Sequence, residues 1–207
     1  GLIASASLTV EGRTVRRARY DYYGLNQTHG PLRTLRNAIV EEPDGDTADE
    51  WRTIREQWYR YYLADGQNGE WKYGLKLVLD PEGMSAVRVS GIDPATASDE
   101  DLAPFSSHRF EYNDEGRVTR ETVRGGEAVY TFAWMTNSAK PGYGAVNTWY
   151  RRCIETRPDA STRTVYTNRG GGTILDIEAD AGQNPDRWFD YRIYNSDYHL
   201  TERATSA

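Results

Sequence analysis

Residues 109–119 constrain the fold most, because this short segment encodes a strand, a turn and a returning strand. Phe110 and Tyr112 are two residues apart, so on a strand their side chains point to the same face. Asn113 and Gly116 suit the first and last positions of a type I turn, since Asn can hydrogen-bond nearby backbone and Gly tolerates the left-handed conformation. The segment therefore predicts a β-hairpin closed by a type I turn and a glycine bulge.

The turn also predicts the register of this hairpin. With the bulge at Gly116, Tyr112 lies opposite Val118 and Arg109 lies opposite Glu121. The second pair would be a cross-strand ion pair worth roughly 0.2–1 kcal/mol, which selects a register more than it stabilises the fold.

These residues resemble the YD repeat of RHS-repeat proteins, which reads aromatic-x-Tyr-Asp-x-x-Gly-Arg-Leu. Asn113 replaces the usual Asp, and Val118 replaces the usual Leu. The resemblance covers about one repeat unit and is degenerate elsewhere in the chain. The residues that match the motif or occupy its positions are Phe110, Tyr112, Asn113, Gly116, Arg117 and Val118.

The resemblance implies a long spiral of β-hairpins that forms a hollow shell. In bacterial polymorphic toxins and insecticidal toxin complexes such shells enclose a C-terminal toxic domain, and in animal teneurins a related shell belongs to an adhesion ectodomain. For this chain it implies a non-catalytic wall segment of a large secreted or cell-surface bacterial protein, without a cofactor. The implied partners are the rest of the same shell or an enclosed C-terminal domain. Because a run of hairpins this short leaves two open sheet edges, we also expect it to pair with its neighbours or with a second copy.

Composition also favours a mainly β fold. Only 38% of the residues are hydrophobic, yet aromatic residues make up 12% of the chain, with fifteen Tyr and six Trp. Tyr and Trp suit half-exposed sheet faces because they combine apolar area with a polar tip. Nineteen Gly and eight Pro separate short runs of alternating polarity, which is typical of strands joined by turns.

The charge and the ends of the chain limit its partners. A net charge of −6 and a pI near 5.2 argue against binding to nucleic acid or an anionic membrane. No apolar run is long enough to span a bilayer. The chain starts without Met and ends in residues 203–207 without a closing element, so we expect it to be part of a longer protein. Cys153 is the only cysteine, so both a reducing compartment and a disulfide-poor bacterial exterior stay open.

We expect three parts within one continuous structural unit. Residues 1–79 are interpreted as degenerate hairpin repeats, residues 80–107 as a helical insertion and residues 108–207 as YD-type hairpin repeats. The predicted fold class is therefore mainly β, a segment of an RHS-like β-spiral shell made of consecutive antiparallel hairpins, with a short helical insertion around 80–105.

In the first part, strand-like alternation covers residues 8–23, and residues 26–37 read as a loop and a return strand. Residues 51–62 fit either a helix capped by Thr47 or a strand, and their richness in β formers favours the strand. Residues 71–79 predict a strand that pairs with it across a turn at residues 65–69.

The insertion carries two helix start signals. Asp80 stands at a cap position before Pro81, which predicts a short helix ending near Gly91. Ser98 before an acidic turn predicts a second short helix. Residues 80–83 also resemble the DPxG element of the self-cleaving segment at the end of many RHS cores, but without its second copy a helix N-terminus is the better interpretation.

In the third part, aromatic anchors recur at intervals near 20 residues, which is the length of one hairpin. The Gly125-Gly126 turn is expected to close with a three-residue loop that includes Glu127, which would place the aromatic residues on one face. Strands are predicted at residues 129–134, 146–154, 162–167, 173–178 and 187–194. The anchors are Phe110, Tyr130, Tyr150, Tyr166 and Phe189.

Residues of the types that bind metal ions or phosphate are present, but their spacing does not match a binding motif. His29, His108 and His199 are far apart in sequence and form no metal-binding motif. The acidic residues 44–50 could hold calcium but lack the EF-hand spacing, so a solvated loop is favoured. Residues 168–173 lack the Lys of a phosphate loop and predict a β-turn.

Cys153 has no His nearby in sequence, which favours an inert thiol. The many carboxylates single out no glycosidase pair. We therefore predict no catalytic residue, no cofactor site and no metal site, and the chain is not expected to be an enzyme.

Aromatic side chains support one alternative function. Exposed Trp and Tyr could stack on sugars in a self-contained β-sandwich or barrel that binds carbohydrate, with Trp71 and Trp149 as the possible contacts. Packing within the sheet is the favoured role for such residues. The Trp residues considered are Trp58, Trp71, Trp134, Trp149 and Trp188.

Overall fold

The computed structural model describes residues 1–45, 50–66, 69–182 and 185–206, which form two compact units. Unit 1 comprises Gly1–Gly116 and Glu121–Glu127, and unit 2 comprises Arg117–Arg120 and Ala128–Ala207. Across the described residues, thirteen strands form an open sheet in which the strand order follows the sequence. The prediction of a mainly β fold made of successive antiparallel hairpins is confirmed.

Unit 1 combines strands with helices. Its strands are β1 (Ser5–Val10), β2 (Arg13–Tyr22), β3 (Leu35–Pro43), β4 (Trp51–Tyr61), β5 (Leu75–Leu79) and β6 (His108–Tyr112). Its helices are α1 (Pro81–Val89) and α2 (Asp99–Leu102), and it has 3₁₀ turns at Ala103–Phe105 and Arg124–Gly126.

Unit 2 is built from strands. The strand β7 (Val118–Val123) contributes its first residues to unit 2 and its last residues to unit 1. The other strands are β8 (Ala128–Thr136), β9 (Arg151–Thr156), β10 (Thr162–Thr167), β11 (Thr173–Ala179), β12 (Arg187–Tyr194) and β13 (Leu200–Thr205).

The turn after β6 forms as predicted. Gly116 N donates to Asn113 O at 2.9 Å, and Glu115 N donates to Asn113 Oδ1 at 3.0 Å. Gly116 has a φ of 73°, the left-handed conformation that the glycine bulge requires. The carboxylate of Glu121, predicted to pair with Arg109, lies 2.7 Å from His108 Nδ1.

The ambiguous segment at residues 51–62 is a strand, so the helix alternative is wrong. Trp58 and Arg60 point to one face of β4, while Tyr59 and Tyr61 point to the other, as the alternation of β formers requires. β4 pairs with β5 as predicted. Thr47 lies outside the described residues, as do parts of the acidic loop at 44–50 and of the turn at 65–69.

Both predicted helices of the insertion are confirmed, and each begins at its predicted cap. Asp80 Oδ1 accepts from Gly83 N at 2.8 Å, and Pro81 occupies the first turn, where its missing N–H costs no hydrogen bond. At α2, Ser98 Oγ accepts from Asp101 N, while the Asp101 carboxylate accepts from Ser98 N. The DPxG-like residues 80–83 are therefore a helix N-terminus.

Two predicted strands begin later than expected, which moves both proposed sugar-contacting Trp residues out of strands. β5 starts at Leu75, because Gly74 N bonds Trp71 O in a turn that holds Tyr73 at a φ of 70°. β9 starts at Arg151, and Trp149 lies in the loop before it.

The first and last hairpins and the loop after β7 also differ from the sequence-based prediction. β1 and β2 form a hairpin around Gly12, whose φ is 77°, and β13 follows the strand that was expected to be the last. The loop between β7 and β8 has four residues, 124–127, rather than three. Arg124 belongs to the loop because Arg124 N donates to Ser107 O, and Gly125 N donates to Ser106 O.

The apolar core of unit 1 lies between the helices and the sheet. It holds six buried side chains and is flanked by the partly buried Ile92, Ala97 and Phe105. α1 buries Met84 and Val87 against β5, and α2 buries Leu102. The buried side chains are Trp58, Leu77, Leu79, Met84, Val87 and Leu102.

Unit 2 differs, because the buried apolar side chains among its described residues are Val146 and Ile174. One face of its strands is charged, and Arg163 binds Asp176 at 2.6 Å while Arg203 binds Asp190 at 2.9 Å. The other face aligns apolar residues from strand to strand, as when Ile177 stands opposite Phe189. Neither face is covered by a helix of the described part of unit 2.

Candidate functional site

The YD-motif residues of unit 1 take part in packing and backbone hydrogen bonds. Tyr112 Oη donates to Leu75 O at 2.8 Å, and its ring meets that of Tyr62 edge-on. Phe110 stacks on His108 with parallel rings 6.0 Å apart, and its carbonyl accepts from Tyr62 Oη. These aromatic side chains tie β6 to β5 and to the end of β4.

Gly116 supports the turn in a second way, because Trp71 packs directly against it. A Cβ at Gly116 would lie 2.6 Å from Trp71 Cε2, so only glycine fits against the indole. Trp71 is half-buried, and this face of its ring covers the turn instead of a ligand.

The last two motif residues lie in unit 2. The Arg117 guanidinium lies over the Trp134 ring, 5.5 Å from its centroid, and Trp134 Nε1 donates to Val118 O at 2.7 Å. Trp149 is half-buried and meets Tyr166 edge-on at 5.9 Å. Other aromatic rings of unit 2 are more exposed, with Tyr143 exposed by 63% and Trp188 by 47%.

The reactive residue types considered in the sequence are scattered. Among the described residues, no group of three or more His, Cys, Asp or Glu could hold a metal ion. Burial raises the pKa of the Cys153 thiol, which disfavours the nucleophilic thiolate. Burial and the charge of Arg60 lower the pKa of His29, and His199 is exposed.

The loop at residues 168–173 is a turn, as predicted. Asn168 is buried, its Nδ2 donates to Val146 O, and its Oδ1 accepts from Gly172 N. The Asn168 side chain therefore holds the loop in place, and the N–H of Gly172 that it binds is not free to bind a phosphate.

A buried ion cluster in unit 1 went unnoticed in the sequence. Arg60 is fully buried, and its guanidinium binds Asp99 Oδ1 at 2.6 Å and the carbonyls of Pro94 and Ala97 at 2.9 and 2.7 Å. Lys76 Nζ binds the other Asp99 oxygen at 2.5 Å. Arg60 follows Trp58 on the inward face of β4, and that alternation was the available signal.

The electrostatics of this cluster favour the charged forms. Burial raises the pKa of Asp99, but the hydrogen bonds and charges of Lys76 and Arg60 lower it by more, so the net pKa lies below its usual value. A carboxylate held between two cations is a poor proton acceptor. The arrangement thus clamps the segment 93–99 onto β4 rather than supplying an acid or a base.

No protein-family model and no curated protein sequence matches this chain. Among the described residues, no helix has the length and hydrophobicity needed to cross a membrane.

The terminal strands form the most open part of the fold. β1 and β13 stand at the two ends of the strand order, and each pairs with a single neighbour among the described strands. All six residues of β1 and all six residues of β13 are exposed. Unpaired N–H and C=O groups along such edges are templates for a further strand.

Proposed function

We propose that this chain is a non-catalytic wall segment of an RHS/YD-repeat shell, in a large secreted or cell-surface bacterial protein. Its task is to continue the shell by pairing its terminal strands with further strands of the same shell or with a second copy, around an enclosed C-terminal domain. The observation that carries the proposal is the exposure of β1 and β13 along their whole length.

The side chains of β1 favour pairing with a further strand, because they lack the residues that keep an edge strand unpaired. Leu8 and Val10 are exposed by 56% and 51%, and neither Lys nor Pro interrupts the strand. Proteins that keep an edge strand unpaired usually place such residues on it. The register between β1 and β2 shifts between Leu8 and Thr9, where β2 carries the extra residue Val15, so the part of β1 with uninterrupted pairing is Ser5–Leu8.

The small apolar core of unit 2 also supports association with neighbouring segments. A sheet with no helix on either face and few buried apolar residues gains little stability alone, and repeat segments draw much of theirs from neighbours. Phe189, Tyr191 and Met135 remain more than 40% exposed. A neighbouring segment of the shell, or the enclosed domain, would cover them.

The backbone geometry shows how the edges can be blocked without unfolding the protein. Tyr20 N donates to Ala4 O, so by the alternation of antiparallel pairs the N–H groups of Ser5 and Ser7 point away from β2. Ser206 N donates to Phe189 O, which by the same rule turns the N–H of Thr205 outward. Proline at Ser7 and Thr205 therefore removes edge donors but no hydrogen bond within the sheet.

The double variant Ser7→Pro/Thr205→Pro is expected to abolish self-association at micromolar concentration. The unmodified chain should run above the monomer mass of 23.5 kDa in sedimentation equilibrium, and the variant should run as a monomer with an unchanged circular dichroism spectrum. The matched control Ser7→Ala/Thr205→Ala keeps both N–H groups and should associate like the unmodified chain. Equal masses for all three proteins would refute edge pairing.

A further inference from the structure

The edge strand β1 has a side-chain pattern that suits pairing with a second copy of itself. It consists of small polar and aliphatic residues and carries no charged side chain, whereas the other terminal strand, β13, carries Glu202 and Arg203. Charged side chains on an edge strand discourage the approach of a further strand. β1 is therefore the edge that accepts another strand more readily.

The backbone of β1 presents alternate residues to the outside. Ala4 O accepts from Tyr20 N, which means that the backbone of Ala4 bonds to β2 and that of Ser5 does not. By the same alternation, Ser7 also directs its N–H and C=O groups outward. The outer edge thus offers one donor and one acceptor at every second residue.

The turn after β1 extends this edge to Thr9. Glu11 and Gly12 have φ values of 50° and 77°, which fit a two-residue turn. Such a turn joins Val10 and Arg13 as the last pair of the hairpin and directs the backbone groups of Val10 towards β2. The backbone groups of Thr9 therefore point outward, and the outer edge includes this residue.

We propose that β1 pairs in antiparallel orientation with β1 of a second copy, about a two-fold axis that passes beside Ser7. This dimer rests on the edge pairing proposed as the function of the chain, and it specifies the partner and the register. Ser7 lies opposite Ser7 of the second copy, and Ser5 lies opposite Thr9. Each outward residue then exchanges both backbone hydrogen bonds with its partner, and the interface closes as an isologous dimer.

The two ends of the edge fix this register. Ile3 O, the next outward carbonyl, already accepts from Tyr22 Oη at 2.8 Å. If the register shifted by two residues in one direction, Thr9 would face Ile3 and lose a hydrogen bond. If it shifted in the other direction, Ser5 would face Glu11, which lies in the turn and is not extended. The proposed register is the one in which all outward residues of both copies find a partner.

The side chains on both faces match in this register. On one face the Ser7 hydroxyls meet and Ser5 meets Thr9, and hydroxyl pairs of this kind stabilise neighbouring strands. On the other face Leu8 lies opposite Ala6 of the second copy and diagonal to its Leu8. Leu8 is exposed by 56% in the single chain, so pairing removes apolar surface from water.

The charges beside β1 do not oppose the dimer. Arg17 and Arg19 of β2 both bind Glu41, at 2.7 and 2.9 Å. Across the dimer, Arg17 of one copy lies three strand spacings, about 14 Å, from Arg17 of the other. The other arginines of β2 are separated from their counterparts by the same three spacings or more. These separations exceed the Debye length of about 8 Å at physiological salt, so the remaining repulsion is largely screened.

Single proline variants test which edge pairs. Ser7→Pro alone removes the central donor of β1 and should give a monomer in sedimentation equilibrium, with an unchanged circular dichroism spectrum. Thr205→Pro alone should leave the dimer intact. Association that survives Ser7→Pro, or that is lost in Thr205→Pro, overturns this dimer but leaves edge pairing through another strand. An unmodified chain that is monomeric overturns both.

Cysteine variants test the register. Ser7→Cys is expected to form a disulfide-linked dimer in oxidised glutathione, because its two Cα atoms lie about 5.5 Å apart across the axis, within the span of a disulfide. Ser5→Cys alone should not cross-link, since Ser5 faces Thr9, and mixing it with Thr9→Cys should restore the cross-link. The unmodified chain, whose only cysteine is Cys153, measures the background. Cross-linking of Ser5→Cys alone as fast as that of Ser7→Cys would overturn the register.

Discussion

Replacing Asp99 with alanine is expected to lower the free energy of unfolding of unit 1 by about 3–5 kcal/mol. The substitution leaves the guanidinium of Arg60 fully buried, with two backbone carbonyls but no counter-charge. It also frees Lys76. Amide hydrogen exchange in β4 and β5 measures this free energy without contributions from unit 2.

Two further variants distinguish the loss of the Arg60–Asp99 ion pair from a general effect of substitution in this helical turn. Glu100→Ala changes an exposed carboxylate in the same helical turn and should alter the stability by less than about 0.5 kcal/mol. Adding Arg60→Met to Asp99→Ala should recover much of the loss, because an apolar side chain replaces the unpaired charge. If Asp99→Ala costs no more than Glu100→Ala, the clamp contributes no stability.

The effect of Asp99 depends on pH in a defined direction. Because its pKa is lowered in the folded state, its contribution is fully present above the unfolded pKa near 4 and is lost as the pH falls through the folded value. The difference between the unmodified chain and Asp99→Ala should therefore be constant from pH 7 to pH 5 and shrink below pH 4.

Gly83→Ala is expected to destabilise unit 1 by about 1–3 kcal/mol, against the ordinary preference of helices. In an exposed helix interior, alanine is more favourable than glycine by about 1 kcal/mol. Gly83, however, is buried in α1, and a Cβ there would lie 2.2 Å from Phe105 O. That oxygen belongs to the backbone of a 3₁₀ turn, so it cannot move without shifting α1 or the turn.

A control on the same helix gives the opposite sign. Ser85 is exposed on α1, and Ser85→Ala should raise the stability slightly through helix propensity. Urea unfolding, monitored by amide exchange in α1, compares the stabilities of the unmodified chain, Gly83→Ala and Ser85→Ala. A stabilised Gly83→Ala variant would show that α1 does not pack closely on the turn at Ala103–Phe105.

Features set by neighbouring residues could be predicted from the sequence. The turn at Asn113–Gly116 and the helix starts at Asp80 and Ser98 each depend on side chains within four positions of the backbone they bind. Alternation likewise identified most strands and favoured a strand at residues 51–62. These are local rules, and the structure confirms them.

Features set by distant residues could not be predicted. Arg60 is separated from Asp99 by 39 positions, so alternation places Arg60 on the inward face of β4 but nothing near it in sequence identifies its partner. The start of β9 depends on Asn147, whose side chain exchanges hydrogen bonds with the backbone of Tyr194 and holds residues 146–150 outside the strand.

Amide exchange of β1 at two protein concentrations tests most directly whether the open edges pair with further strands. The outward N–H groups of Ser5 and Ser7 are free in a monomer and bonded when a further strand pairs with them. Edge pairing predicts fast exchange of both groups in dilute protein and protection that grows as the concentration rises. Protection that is already present in a dilute monomer, or exchange that stays fast at every concentration, would contradict it.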